Sequence, residues 1–194
     1  RLVAERPVDV AALPVAHRRK RLLVADMDST MIEVECIDEL AAAAGLRAEV
    51  AAITERAMKG ELDFAGALRA RATMLRGLHS QDYAKVYTER VRPMSGARTL
   101  VATMRAHGAY TALVSGGFTE FTSRVREALG FHADHANRLL QADGRLTGEV
   151  EEPIQGADAK LAILRRLTAE RGLAVADTLA VGDGANDVPM IGAA

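Results

Sequence analysis

Two short, largely apolar runs, Leu22-Leu23-Val24-Ala25 and Thr178-Leu179-Ala180-Val181, each break off at an acidic string. Runs of this length and make-up predict strands buried on both faces, as in a parallel sheet. Between them the pattern changes twice. Residues 32–90 read as helical throughout. A helix ends at Ala41-Ala42-Ala43-Ala44 before Gly45, a break falls at Gly60, and a short helix covers 81–90 before Pro93. Leu62, Ala65, Leu68, Ala72 and Leu75 recur at helical spacing and predict a buried stripe.

After Pro93 strands and helices alternate. A helix is expected over 96–107, a strand over Tyr110 to Val114 running into Ser115-Gly116-Gly117, and a helix over 119–129 closed by Gly130. A strand follows at 133–138. A hairpin at 139–147 turns on Asp143-Gly144, a strong two-residue turn signal. A helix over 157–171 precedes the last strand. Parallel strands joined by right-handed helical crossovers give an α/β, doubly wound, mainly parallel Rossmann-like core. The expected division is a lead-in over 1–20, an α/β core over 21–31 and 93–194, and a helical cap over 32–92.

Composition narrows the function. Apolar residues make up 49% of the 194, aromatics 4%, and there is no Trp. Base stacking is therefore not the main activity. The net charge of −1 gives no bulk attraction to nucleic acid or an anionic membrane. The basic run His17-Arg18-Arg19-Lys20 reads as a solvated flank. The single cysteine, Cys36, excludes an internal disulfide and fits a reducing compartment, with cytoplasm as the default. It reads as a small buried hydrophobe. No apolar run reaches the ~18 residues of a membrane span, and no signal peptide is visible.

The candidate chemistry sits where the strands end. If the first and last strands are parallel neighbours, Asp26, Asp28, Asp183 and Asp187 converge at their carboxyl ends, where open α/β sheets bind ligands. Four carboxylates so close need a cation to stay ionised, and oxygen-only ligands suit Mg²⁺. At an extended strand end residues i and i+2 face the same side. One carboxylate of Asp26-x-Asp28 can then attack phosphorus while the other moves protons. Alone, Asp-x-Asp usually means a turn or a cap. Ser115-Gly116-Gly117 alone reads as an ordinary turn, although its backbone can approach an anion. Lys160 alone is a solvated lysine; pointed at the strand ends it neutralises phosphate charge. Asp183, Asn186 and Asp187 exceed what one helix cap needs.

Taken together, Asp26-x-Asp28-Ser29-Thr30, Ser115-Gly116-Gly117, Lys160 and Gly182-Asp183-Gly184-x-Asn186-Asp187 occur in the order and spacing of the haloacid dehalogenase superfamily. Within it the chain resembles the phosphoserine phosphatases over roughly residues 21–194, through Glu35, Met58, Phe64 and Arg71 in the cap and the hairpin ending Leu146-Thr147-Gly148-Glu149-Val150. The resemblance implies Asp26 as nucleophile and Mg²⁺ ligand. It implies Asp28 as general acid/base, lending its backbone carbonyl to the metal, and Asp183 as the remaining carboxylate ligand. Ser115, Gly116 and Lys160 would hold phosphate, Asp187 would orient Lys160 and support the metal shell, and Asn186 would lie beside them and bind substrate.

The cap residues fit an amino-acid phosphate such as O-phospho-L-serine. Glu35 can pair with its ammonium, Arg71 can fork onto its carboxylate, and Met58 and Phe64 can form an apolar lid. Read singly, Glu35 and Arg71 are surface charges, and Met58 and Phe64 are core packing. The resemblance also implies a further edge strand and helix beyond residue 194, and in bacterial members an amino-terminal regulatory domain. Two other functions stay open at this stage: phosphoryl transfer to a small alcohol or hydrolysis of another small phosphate, and a catalytically silent binding module.

Overall fold

A computed structural model describes residues 15–58 and 61–194, the side chains of 57 and 58 excepted. The expected break at Gly60 and most of the lead-in lie outside those residues. Four parallel strands form the central sheet in the order β3-β2-β1-β6: β1 Leu22–Ala25, β2 Tyr110–Phe118, β3 Ala133–Asn137 and β6 Thr178–Val181. β4 Leu139–Ala142 and β5 Arg145–Val150 make a separate antiparallel hairpin.

β1 shows why the sheet is covered on both sides. Its side chains alternate, so Leu23 and Ala25 join one apolar cluster with Phe121 and Val125 of α6 (Thr119–Leu129) and Val101 of α5 (Ala97–Ala106). Leu22 and Val24 join the other, with Ile163, Leu164 and Leu167 of α7 (Ala157–Glu170) and Met190 of α8 (Val188–Ile191). All four β1 side chains are fully buried. A strand without a polar face is what the uninterrupted apolar run encodes.

Four helices leave the sheet after β1: α1 Cys36–Ala43, α2 Arg47–Met58, α3 Phe64–Met74 and α4 Gln81–Arg90. Of the expected stripe, Leu68, Ala72 and Leu75 are buried, and Leu62 and Ala65 are half-buried. The chain does not become helical at residue 32. Ile32 instead pairs with Pro93, Glu33 N–H donates to the Arg92 carbonyl at 3.0 Å, and Met94 N–H donates to the Met31 carbonyl at 2.9 Å. The outgoing and returning chains therefore run side by side as a two-stranded stem.

The β4–β5 hairpin packs on this insert. Gly77 N–H donates to the Leu146 carbonyl, Leu146 N–H to that of Leu78, and Ser80 N–H to that of Gly144, each at 2.9 Å.

The flank at 15–20 is mostly exposed, as its charge predicts, but it is tied down: Lys20 Nζ donates to the Ala176 carbonyl at 2.8 Å. Cys36 is buried and free. Among the described residues no helix is long and apolar enough to cross a membrane.

One element differs from expectation. β2 does not stop at Val114; it runs on through Ser115-Gly116-Gly117 to Phe118. Pairing with β3 lapses after Val114 and resumes at Phe118 opposite Asn137. Two glycines inside a strand mark such an irregularity, and here they free the backbone of 115–117 from the ladder.

Candidate active site

Parallel register sets the site. Ala25 lies opposite Val181, so both chains emerge from the sheet at one level, and Asp26 N–H donates to the Val181 carbonyl at 2.9 Å. Asp26 is 6% exposed, Asp187 0% and Lys160 1%. Lys160 Nζ lies 2.9 Å from Asp26 Oδ1 and 2.7 Å from Asp187 Oδ1. Asp26 Oδ1 also accepts from Met27 N–H at 2.8 Å, and Asp187 Oδ2 accepts from Gly184 N–H at 3.2 Å. Gly182 is needed for this closeness, because a Cβ there would collide with the Asp187 carboxyl group.

Burial pushes the Asp26 carboxyl up to about 7. Lys160 pulls it down, and the Asp187 charge pushes it further up.

Asp28 faces the other side. Its Oδ1 accepts from Cys36 N–H at the start of α1 at 3.1 Å, and its Oδ2 lies 3.4 Å from Ser115 Oγ. Ser115 Oγ in turn accepts from Gly117 N–H at 2.9 Å. Burial raises the Asp28 carboxyl to about 6, and the charge of Glu35 adds to the rise. Two carboxyl groups near neutrality, one beside a lysine and one beside a hydroxyl, are equipped for different work.

Between them opens a cavity of about 220 Å³. Asp26, Asp28, Ser115 and Gly116 line it on the sheet side, Glu35, Phe64 and Arg71 on the helical side, and Asp183 and Asn186 from the last loop. Glu35 is exposed and accepts from Ser29 Oγ at 2.7 Å. Arg71 is half-buried; desolvation pulls its guanidinium down, opposed by the charges of Asp38, Glu35 and Asp28. The Phe64 ring, 37% exposed, lies so near Gly116 and Gly156 that a Cβ on them would stand 2.9 Å and 3.1 Å from it. The Met58 side chain lies outside the described residues.

One carboxylate oxygen each from Asp26, Asp183 and Asp187 lie within 4.8 Å of one another. An all-oxygen set this compact, with a carboxyl group held above its usual range, fits a hard divalent cation. The resemblance gives the metal the Asp26 and Asp183 carboxylates, only the backbone carbonyl of Asp28, and Asp187 in support; the compact group is made of the side chains of Asp26, Asp183 and Asp187.

Two contributors went unread. Thr30 Oγ1 donates to Asp183 Oδ1 at 2.8 Å, holding an otherwise exposed carboxylate. Asn137, 2% exposed, donates to the Gly116 carbonyl at 2.9 Å. Asn137 ends a parallel strand at its carboxyl end, and the rule that singled out Asp26 applies to it equally.

Comparison with known proteins agrees with this geometry. The model of the haloacid dehalogenase-like hydrolase family matches residues 23–192. A phosphoserine phosphatase of Streptomyces coelicolor is 46% identical over 189 residues, covering 96% of this chain and 46% of its own length. One of Streptococcus thermophilus is 47% identical over 172 residues, covering 89% of this chain and 80% of its own. The chain thus spans about half of the first relative and about four fifths of the second. The solved structure of a phospho-aspartyl intermediate analogue of phosphoserine phosphatase superposes with a TM-score of 0.82 at 40% identity, covering 90% of this chain and 83% of that one. The chain belongs to the haloacid dehalogenase-like hydrolase family, in the branch that includes the phosphoserine phosphatases.

Proposed function

We propose that this chain is the catalytic unit of a Mg²⁺-dependent phosphatase that hydrolyses O-phospho-L-serine to L-serine and phosphate through an aspartyl-phosphate on Asp26. The observation that carries the reading is the pairing of two unlike carboxyl groups, Asp26 and Asp28, across one small cavity walled by a glutamate and an arginine. The relative captured as a phospho-aspartyl intermediate analogue supports that intermediate.

Lys160 and the Met27 N–H occupy Asp26 Oδ1, which leaves Oδ2 to attack phosphorus. As the P–O bond to serine breaks, Asp28 gives its proton to the departing seryl oxygen. Asp28 then takes a proton from water, whose oxygen attacks phosphorus and displaces Asp26. A carboxyl group near 6 can hold and release a proton around neutral pH. The Ser115 hydroxyl, the backbone of Gly116 and Lys160 would receive the phosphate oxygens. Asp26, Asp183 and Asp187 would hold Mg²⁺, which when bound neutralises phosphate charge and fixes its orientation.

The helical wall sets the substrate. Glu35 would meet the ammonium and Arg71 the carboxylate. Phe64, resting on Gly116 and Gly156, would exclude water, and residues 32–92 would act as the cap. Asn186 would sit at the rim.

The test is phosphate release from O-phospho-L-serine, with and without Mg²⁺, beside an aryl phosphate. Mg²⁺-dependent release preferring phosphoserine is expected, with turnover abolished in Asp26→Asn. Release from the aryl phosphate alone would discard the substrate and keep the chemistry. Glu35→Gln should reduce the preference for phosphoserine over an analogue without the amino group roughly tenfold to a hundredfold, the worth of a charged hydrogen bond. An unchanged preference would remove Glu35 from the pocket.

A further inference from the structure

Asn137 stands at the end of β3, and its side chain does not line the cavity. Three of its four hydrogen-bonding positions are taken by backbone groups of two other segments. Its Nδ2 donates to the Gly116 carbonyl at 2.9 Å and to the Gln155 carbonyl at 3.0 Å, and its Oδ1 accepts from Gln155 N–H at 2.6 Å. Two carbonyls facing one end and an N–H facing the other fix which atom is nitrogen. Gln155 answers in kind, its Nε2 donating to the Ala136 carbonyl at 2.9 Å.

One of the joined segments lines the candidate phosphate pocket, and the other starts the helix that carries Lys160. Gly116 belongs to the stretch of β2 that has left the ladder, so the sheet itself does not fix it. Gln155 precedes Gly156, whose carbonyl accepts the first helical bond of α7 from Lys160 N–H at 3.1 Å. The first carries Ser115 and Gly116 on the cavity wall, and the second aims Lys160 at Asp26 from behind it. The Phe64 ring rests on Gly116 and Gly156, one residue from each tethered carbonyl or on it. We infer that Asn137 is a positioning residue, which sets the separation of the Ser115–Gly117 wall from the start of the Lys160 helix and thereby the fit of the pocket to a phosphoryl group. This rests on reading the pocket as a phosphate site.

The physical reason is accounting of buried polar groups. The backbone of 115–117 lacks its strand partner, and a buried carbonyl without a donor either costs stability or moves to find one. Asn137 supplies the donor and ties the result to the start of α7.

Two variants separate tethering from packing. Asn137→Leu keeps the volume and removes every hydrogen bond. Asn137→Ser loses volume and keeps one O–H donor. The readouts are the inhibition constant of inorganic phosphate in Mg²⁺, KM and kcat for O-phospho-L-serine, and the melting midpoint; the inhibition constant and KM do not depend on how much protein is active.

For a tether, the phosphate inhibition constant and KM rise about tenfold or more in Asn137→Leu and only about threefold in Asn137→Ser, the scale of one or two lost hydrogen bonds. If Asn137→Leu does not fold, Asn137→Asp, of the same shape without the donors, takes its place with the same expectation. A serine variant worse than the leucine variant, or constants unchanged while only the melting midpoint falls, overturns the inference and leaves Asn137 a packing residue. A wild-type chain that inorganic phosphate does not inhibit overturns the phosphate reading of the pocket and this inference with it.

Discussion

Lys160 faces two carboxylates in a space that water hardly reaches, and that imbalance governs the site before any substrate arrives. Asp26 at about 7 and Asp28 at about 6 both stand above the ordinary value of 3.8. The folded chain therefore binds these protons more tightly than the unfolded chain does. Their contribution to stability is fully present below about 4 and is lost as pH rises through 6 to 7. In chelator, the melting midpoint should fall between pH 5 and pH 8. Asp26→Asn should melt a few degrees above wild type at pH 8, with the gap closing at pH 5. A wild-type midpoint that rises over this range would contradict the assignment. Removing the cation of the trio acts the other way. Lys160→Met leaves two buried carboxylates unpaired, and in chelator at pH 8 it should lose about 3–5 kcal/mol in denaturant unfolding.

At the scale of elements, β2 decides how the site is shaped. Its irregularity gives the 115–117 backbone to the cavity, and Gly117 lets Asp28 approach: a Cβ there would stand 2.8 Å from Asp28 Oδ2 and 3.1 Å from Ser115 Oγ. Asp28 is also held by the start of α1, so it cannot retreat. Gly117→Ala should lower kcat roughly tenfold to a hundredfold, as a misplacement of about 1 Å does, with a melting midpoint close to wild type. A normal kcat would show that Asp28 has more room than this geometry gives it. Elements of this kind were readable in the chain to different degrees. β1 and β6 follow from runs with no polar face, and their acidic ends follow from where parallel strands bind ligands. Glu35, Arg71 and Lys160 were readable only as members of a pattern, because each is an ordinary charge by itself. The continuation of β2 was not readable, since two glycines signal a turn as well as they signal a broken ladder. Thr30 was missed because no local spacing records the distant carboxylate it reaches; Asn137 sat at a strand's carboxyl end, but which distant carbonyls it ties is likewise not written in its neighbours.

Over the whole molecule, the four-helix insert is fastened by the paired connectors and the β4–β5 hairpin, and Tyr83 of α4 also packs edge-on against Phe121 of α6, with ring centres 5.5 Å apart. Gly148 lies in the hairpin, with φ at +81° and space for a Cβ only 3.0 Å from Arg76 Cβ and 3.2 Å from Thr73 Cα of the insert. Gly148→Ala should cost about 1 kcal/mol or more from its backbone angle alone, a drop of about 2–4 °C in melting midpoint. The exposed pair Arg69–Glu152, at 2.6 Å, spans the same contact but lies in water, so Arg69→Gln should shift the midpoint far less. The connectors have a mechanical consequence of their own. Two chains that leave the sheet side by side would act as a hinge pin: were the insert to swing like a door, the Tyr83–Phe121 contact would part while each connector absorbed only a small twist. The hairpin then serves as the latch. Hydrogen exchange should report this directly, with the amides of Gly77, Ser80 and Leu146 at the latch exchanging faster than Met94 at the pin. The pace at which such a door lets product out would then be set about as far from the reacting atoms as the insert extends.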